Sequence, residues 1–170
     1  MSDAVEKFRE QQYKVLVGLG HPERVEGLMR IAAVFARRQR GRIVAVSVIV
    51  APEGLTPAQA AEHVDTELLE SAEAMVQRAQ DFGAELGIAV EPVIEFATDI
   101  ASGIAAAGER YDADMILLGF SPPAAADAEA AGVPARLTER VAGMTGRSLA
   151  VVDLPEGDQP ARLLIPVTET

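Results

Sequence analysis

Two glycine-centred segments have spacings that could serve phosphate binding or nucleophilic catalysis. Gly18-Leu19-Gly20 begins like a dinucleotide-binding loop, but Glu23 occupies the third glycine position and would place a carboxylate beside the pyrophosphate. Gly119-Phe120-Ser121-Pro122-Pro123 has the form of a nucleophile elbow, but the residue after the serine must offer a backbone N–H, and Pro122 has none. An enzyme such as an ATPase or an esterase is therefore the class with the least support.

The chain has few other groups suited to catalysis or metal binding. It contains two histidines and no cysteine, which excludes disulfides and thiolate metal sites. His21 falls at the mouth of the predicted sheet, whereas His63 lies beside Glu62 and Asp65 on a predicted helix and is better explained as part of a solvated face. We predict no catalytic residue and no metal site.

The charge of the chain limits its partners. With 26 acidic residues against 15 basic ones, the net charge is −11, and a nucleic-acid-binding protein would normally show a basic stripe instead. The densest basic segment, residues 37–42, falls at the end of a predicted helix, where cations complement the helix dipole; an anion or lipid-headgroup patch is the alternative. No apolar run reaches the ~18 residues of a membrane span and no signal peptide opens the chain, so we expect a cytoplasmic domain without direct membrane insertion.

Short apolar runs alternate with amphipathic stretches along the chain, which predicts an α/β fold with a parallel sheet and helices on both faces. Ligands bind beyond the carboxyl ends of such strands. We expect a lead-in segment over residues 1–12, one α/β domain over 13–153, and a linker with an extra strand over 154–170. The predicted strands are 13–19, 43–50, 88–96, 114–118 and 148–152, and the helices begin at Pro22, Thr56, Thr98 or Asp99, and Pro134.

For two of the helices the sequence also predicts which residues are buried. Residues from Thr56 to Gly87 carry apolar side chains at steps of three and four, which predicts one long helix with a buried stripe that includes Leu68. In the helix after the third strand, Ile100, Ile104 and Ala107 are predicted to be buried. The proline- and alanine-containing stretch 120–133 is predicted to be a loop.

A second strand-like segment follows the predicted domain. Arg162-Leu163-Leu164-Ile165-Pro166-Val167 is similar to the opening strand, Lys14-Val15-Leu16-Val17-Gly18-Leu19. Because such an apolar run must be covered, a frayed tail is the weaker explanation. The segment could be an added strand, an arm exchanged with a partner, or the start of a second copy, and we favour partner pairing or a tandem copy.

Three segments in this order resemble the universal stress protein family over about residues 13 to 153. They are the opening strand running into Gly20-His21-Pro22-Glu23, the segment Ala113-Asp114-Met115-Ile116-Leu117-Leu118-Gly119, and Thr138-Glu139-Arg140-Val141 followed by Leu149-Ala150-Val151-Val152. The resemblance implies a five-stranded parallel sheet in the order 3-2-1-4-5, usually dimerised through the last strand. Some members bind ATP or another adenine nucleotide at the strand mouths.

The positions that bind ATP in such members can be checked in this sequence. The resemblance places Gly20 where an Asp receives the adenine and ribose, and Val48 where a backbone group contacts the ligand. Leu118 and Gly119 begin the phosphate loop, but Pro122 replaces its second glycine. A strict count puts Gly132 at the third glycine.

Alignment through the following helix instead puts Ala135 and Arg136 at the third position of the loop. A phosphate loop works through backbone N–H groups, which prolines lack, so its grip on a triphosphate is expected to be degraded. Arg136 could still hold an anion as a bidentate donor, or be a surface arginine.

These departures look most like the universal stress domains attached to the cytoplasmic ends of amino-acid permeases and cation/proton antiporters. The sequence therefore predicts a non-catalytic regulatory domain, a homodimer or part of a tandem pair, that acts with a membrane transporter. The alternative is a stress protein whose remodelled pocket binds AMP, a cyclic nucleotide or ATP.

Overall fold

The computed structural model describes residues 2–10, 12–120, 132–154 and 162–164. The strands are β1 (Lys14–Leu19), β2 (Arg42–Val50), β3 (Val90–Ala97), β4 (Met115–Phe120), β5 (Ser148–Asp153) and β6 (Arg162–Leu164). The helices are α1 (Ser2–Glu10), α2 (Val25–Arg38), α3 (Pro57–Glu62), α4 (Thr66–Glu85), α5 (Ile100–Arg110) and α6 (Gly132–Met144). A short 3-10 turn, Pro22–Arg24, leads into α2.

The strands form one sheet in the order β3-β2-β1-β4-β5-β6. The first five are parallel, and their order, 3-2-1-4-5, is the predicted one. The chain moves outward from β1 to β3 and then returns to β4, so the strand order reverses between β1 and β4. That point is where open α/β sheets bind ligands.

Each face of the sheet has its own hydrophobic core. On one face, alternate residues of β1 and β2 pack with α2 and α4, and Val17, Met29 and Ala79 are fully buried there. On the other face, the remaining alternate residues pack with α5 and α6, around Leu16, Ile116 and Val141. Burial on both faces explains why β1, β2 and β4 read as nearly continuous apolar runs.

The long helix predicted from Thr56 is wrong, because the structure divides it into α3 and α4. The carboxylate of Asp65 accepts the backbone N–H of Glu67 at 2.8 Å and so caps a new helix. Leu68, predicted to be buried, lies in the first turn of α4 and is 57% exposed, whereas Ala72 and Ala79 further along the same helix are buried as predicted.

The predictions for α5 are mixed. Asp99 rather than Thr98 caps the helix, since its Oδ1 accepts the N–H of Ser102 at 2.9 Å. Ile104 and Ala107 are buried as predicted. Ile100 is not: it is 48% exposed in the first turn of α5.

The ends of the chain carry structure of their own. The lead-in segment contains α1. Of the three alternatives for the C-terminal run, the structure has the added strand: β6 pairs antiparallel with β5, with Val152 opposite Leu163. Most of the predicted loop, residues 121–131, lies outside the described part of the chain. No helix among the described residues is long and apolar enough to span a membrane.

Candidate functional site

A cleft of about 260 Å³ opens at the carboxyl edge of the sheet, where the strand order reverses. Its described lining comes from β1, β2 and β4, from the segment that follows β1, and from the facing helices α2, α4, α5 and α6. Apolar side chains predominate, among them Leu19, Val46, Met75, Ile104 and Leu137. Small-molecule sites of ~300–1,000 Å³ typically have such walls with a few polar groups, so this cleft suits a small ligand.

Glycines keep the cleft open. At Gly20 a side chain would meet nothing within 4 Å, so the space beside it belongs to the cleft. At Gly18 a Cβ atom would lie 2.8 Å from Cδ2 of Leu118, and at Gly119 one would lie 3.3 Å from Cδ1 of Leu28. Side chains at these positions would displace the apolar walls.

Four of the six residues predicted to contact a ligand lie around this one cleft: Gly20, Val48, Leu118 and Gly119. Gly132 is the first residue of α6. Arg136 lies on the same helix, but its side chain is outside the described part of the structure, so its anion-binding role stays a prediction. Its neighbour Leu137 does line the cleft.

Three polar residues of the cleft were not predicted as ligand contacts. Ser47, His21 and Arg24 all belong to the lining, and no carboxylate does among the described lining residues. Ser47 is only 2% exposed. A signal for it existed in the sequence, since it is the single polar residue within the apolar run Ile43–Val50.

The hydroxyl of Ser47 faces the cleft without a protein partner. The described structure shows no hydrogen bond to this side chain, and the fully enclosed polar atoms that lack a partner are Nε of Arg42 and Oδ1 of Asp153. Because Ser47 lines the cleft, we infer that its hydroxyl is available to a ligand bound there. A serine hydroxyl can both donate and accept a hydrogen bond.

Asp99 joins two helices near the cleft. Its carboxylate accepts the backbone N–H and the hydroxyl of Ser102 and also pairs with Arg140 of α6 at 3.0 Å. These contacts, led by the backbone hydrogen bond of Ser102, lower the pKa of Asp99, and burial opposes them only in part. The interaction ties the N-terminus of α5, next to Ile100 of the cleft, to α6.

Chemically, the arrangement suits binding of a small molecule with apolar faces and polar edges. His21 precedes the 3-10 turn and His63 follows α3, so they belong to different segments. In the ranges that the structure describes, no three acidic or histidine side chains are grouped as a metal site would require.

A parallel sheet in this order, with a cleft at the reversal point, defines a doubly wound α/β binding fold. The sequence model of the universal stress protein family matches residues 13–142. The chain belongs to the universal stress protein family.

Solved structures of the family share the fold. The universal stress protein from Archaeoglobus fulgidus in complex with dAMP has a TM-score of 0.62 at 14% identity, over 82% of this chain and 96% of that one. UspA from Lactobacillus plantarum gives 0.62 at 21% identity, over 82% and 97%. A family protein from Arabidopsis thaliana with AMP bound gives 0.50 at 13% identity, over 85% and 93%.

A curated relative is a transport protein. The chain is 25% identical over 113 residues to the Na(+)/H(+) antiporter NhaS5 of Synechocystis, which is 64% of this chain. The match spans only 15% of the length of that antiporter. A domain similar to this one therefore occurs within a much larger transporter.

Proposed function

We propose that this chain is a non-catalytic regulatory domain that couples a membrane transporter to a small ligand bound in the cleft. The observation that carries the proposal is the match to an antiporter more than six times longer than the matched segment, as its 15% coverage implies. The apolar cleft supports a binding role, because a ligand seated between α2 and α5 would contact helices of both faces of the sheet.

The transporter link can be tested by crosslinking in the cells that produce the protein. After immunoprecipitation, mass spectrometry should identify a cation/proton antiporter or an amino-acid permease, either as the partner or as the rest of the same polypeptide. A bait of similar size and net charge controls for nonspecific capture. Recovery of the chain without any transport protein would contradict the proposal.

A second, separate expectation concerns ATP binding, because the phosphate loop is degraded. Gly20 lacks the carboxylate implied by the resemblance, and Pro122 and Pro123 remove N–H donors from the loop. Calorimetry should therefore show weak binding of ATP or none, and no steady hydrolysis. Sub-micromolar affinity for ATP, or ATP that co-purifies with the protein, would count against a degraded loop.

The second candidate function is binding of an adenine nucleotide smaller than ATP. Two observations favour it: structural neighbours are complexes with dAMP and AMP, and the cleft of about 260 Å³ is slightly smaller than the ~300 Å³ at the lower end of the range for small-molecule sites. Loss of the phosphate loop should lower the affinity for a triphosphate most and the affinity for a monophosphate least. Titration with AMP and ATP under identical conditions should give the tighter binding for AMP, and the reverse order would contradict this function.

A further inference from the structure

We propose that Ser47 is a specificity residue of the cleft, and that its hydroxyl hydrogen-bonds the polar edge of a planar nucleobase-type ring. This inference rests on the second candidate function above. It adds the residue that recognises the ring and the kind of ring that it accepts.

The first argument is the cost of keeping a serine at this position. Ser47 lies in the interior of β2, in register with Leu19 of β1 and Ile94 of β3, and its neighbours along the strand are Val46 and Val48. A polar group that is almost fully buried normally has a hydrogen-bond partner, and no described protein group supplies one to the hydroxyl of Ser47. Alanine would pack there without needing a partner, so the hydroxyl is better explained as a contact for a ligand in the cleft.

The second argument is the contrast between this hydroxyl and the walls around it. On the face of the sheet to which Ser47 belongs, the apolar side chains of Leu28 and Met75 line the cleft and can cover an aromatic ring. The hydroxyl of Ser47 can both donate and accept a hydrogen bond. A nucleobase has the same division, with apolar faces and a hydrogen-bonding edge. A purely aliphatic ligand would leave the hydroxyl without a partner.

The third argument concerns the charge around the cleft. The chain carries a net charge of −11, yet the charged or titratable side chains in the described lining are Arg24 and His21. A phosphate ester attached to the base therefore meets no carboxylate from these residues. The chemistry of the cleft thus fits a nucleoside monophosphate better than a cationic ligand.

The test uses Ser47→Ala with two measurements on the full chain. In thermal unfolding without ligand, the variant should melt at the same temperature as the parent or higher, because no internal hydrogen bond is lost. In calorimetry, its affinity for AMP should fall by about threefold to tenfold, the loss expected for one net hydrogen bond. Ser47→Thr, which keeps the hydroxyl, should retain more of the affinity.

Ser148→Ala is the matched control, because Ser148 is an exposed strand serine far along the sheet in β5. It should change neither the melting temperature nor the affinity for AMP. A lower melting temperature for Ser47→Ala would mean that the hydroxyl has a structural partner, and unchanged affinity would mean that it does not contact the ring. Either result overturns the proposal.

Failure of the parent chain to bind AMP or adenosine at millimolar concentration would also overturn the assignment of a nucleobase. That result would not affect the transporter proposal, which the crosslinking experiment tests independently. Failure of the nucleobase assignment and failure of the transporter proposal are therefore distinguishable.

Discussion

Gly103 lies in α5 where the helix packs closely against β2 and β3. A Cβ atom there would lie 2.6 Å from Cγ1 and 2.9 Å from Cγ2 of Val48, and 3.1 Å from Cβ of Ala97. Valine is stiff about χ1, so these methyl groups cannot turn away easily. The absence of a side chain at Gly103 therefore sets how close α5 lies to one wall of the cleft.

We predict that Gly103→Ala destabilises the protein. Alanine favours a helix by about 1 kcal/mol over glycine, but overpacking a core costs about 1–3 kcal/mol, so the net effect is a loss of up to about 2 kcal/mol. The same substitution at Gly143 of α6 is the control, since a Cβ there meets nothing within 4 Å, and it should stabilise by up to about 1 kcal/mol. Urea unfolding measures both, and equal effects would contradict the packing argument.

Asp99 gives the molecule a specific acid sensitivity. The backbone and hydroxyl of Ser102, together with Arg140, lower the pKa of Asp99 in the folded state. A depressed folded pKa contributes stability that is present above the unfolded pKa of about 3.9 and is lost as the pH falls through the folded pKa. The lost stability should therefore appear at strongly acidic pH, below about 4.

We predict that Asp99→Ala costs about 1 kcal/mol at neutral pH, the usual effect of removing an N-cap. The difference in unfolding free energy between parent and variant should shrink as the pH is lowered through this acidic window. Asp99→Asn is the control, because Asn also caps helices but does not titrate. If the Asn variant kept the full acid sensitivity of the parent, another group would have to explain it.

At the scale of elements, the ion pair between Arg110 and Glu95 connects α5 to β3. Glu95 is a strand residue whose side chain is only 7% exposed, and Arg110 at the end of α5 reaches it with two hydrogen bonds of 2.6 and 3.0 Å. The hydrogen bond and charge of Glu95 raise the pKa of Arg110. The pair holds the far end of the helix whose first turn lines the cleft.

We predict that Arg110→Met costs about 1–3 kcal/mol, because it leaves a buried carboxylate without its charged hydrogen-bond donors. Solvent access to the arginine, which is 57% exposed, keeps the cost below that of a fully buried pair. Adding Glu95→Leu should recover most of the loss, since an apolar replacement of both partners is often neutral. A double-mutant cycle by chemical denaturation measures this, and additive losses would contradict the coupling.

Elements could be predicted from the sequence where a run of neighbouring residues determines them. The strands could be located because burial on both faces produces apolar runs such as Ile43–Val50, and their bounds shift by only a residue or two. The break between α3 and α4 could not, because the apolar spacing continues across Asp65, whose cap interrupts the helix without a proline or glycine. The exposure of Ile100 could not be predicted for a different reason: an apolar residue that lines a cleft fits the helical periodicity as well as one in the core.

The site was only partly predictable from sequence. Family positions such as Gly20 and Gly119 follow from strand ends, so counting along the chain found them. Ser47 is visible only as an exception in an apolar strand, and its meaning depends on the cleft next to it. The Glu95–Arg110 and Asp99–Arg140 pairs join residues brought together by packing of different elements, which spacing alone does not encode.

At the scale of the whole molecule, the two edges of the sheet are protected differently. An unpaired edge strand exposes N–H and C=O groups that can pair with another chain. On one side, β3 contains Pro92, which cannot donate a ladder hydrogen bond. On the other side, β6 pairs with Val151–Asp153 of β5, so part of the edge through which the family resemblance implies dimerisation is occupied within this chain.

This arrangement constrains the predicted homodimer. With β6 in place, two copies can use the paired part of this edge only by adding a strand beyond β6 or by exchanging β6 between them. Three paired positions hold β6, from Asp153 opposite Arg162 to Val151 opposite Leu164, which is a short ladder. Such a ladder can be removed without touching the five parallel strands.

We predict that a chain ending at Leu154 associates more strongly than the full chain. Truncation exposes the outer edge of β5 but retains Leu154, whose side chain lies against Gly27 of α2, so the core on that face stays closed. Light scattering after size exclusion, over a range of concentrations, should show the truncated form shifting toward dimers at lower concentration. Equal association of the full and truncated chains would mean that β6 does not guard this edge, and the dimer would have to form elsewhere.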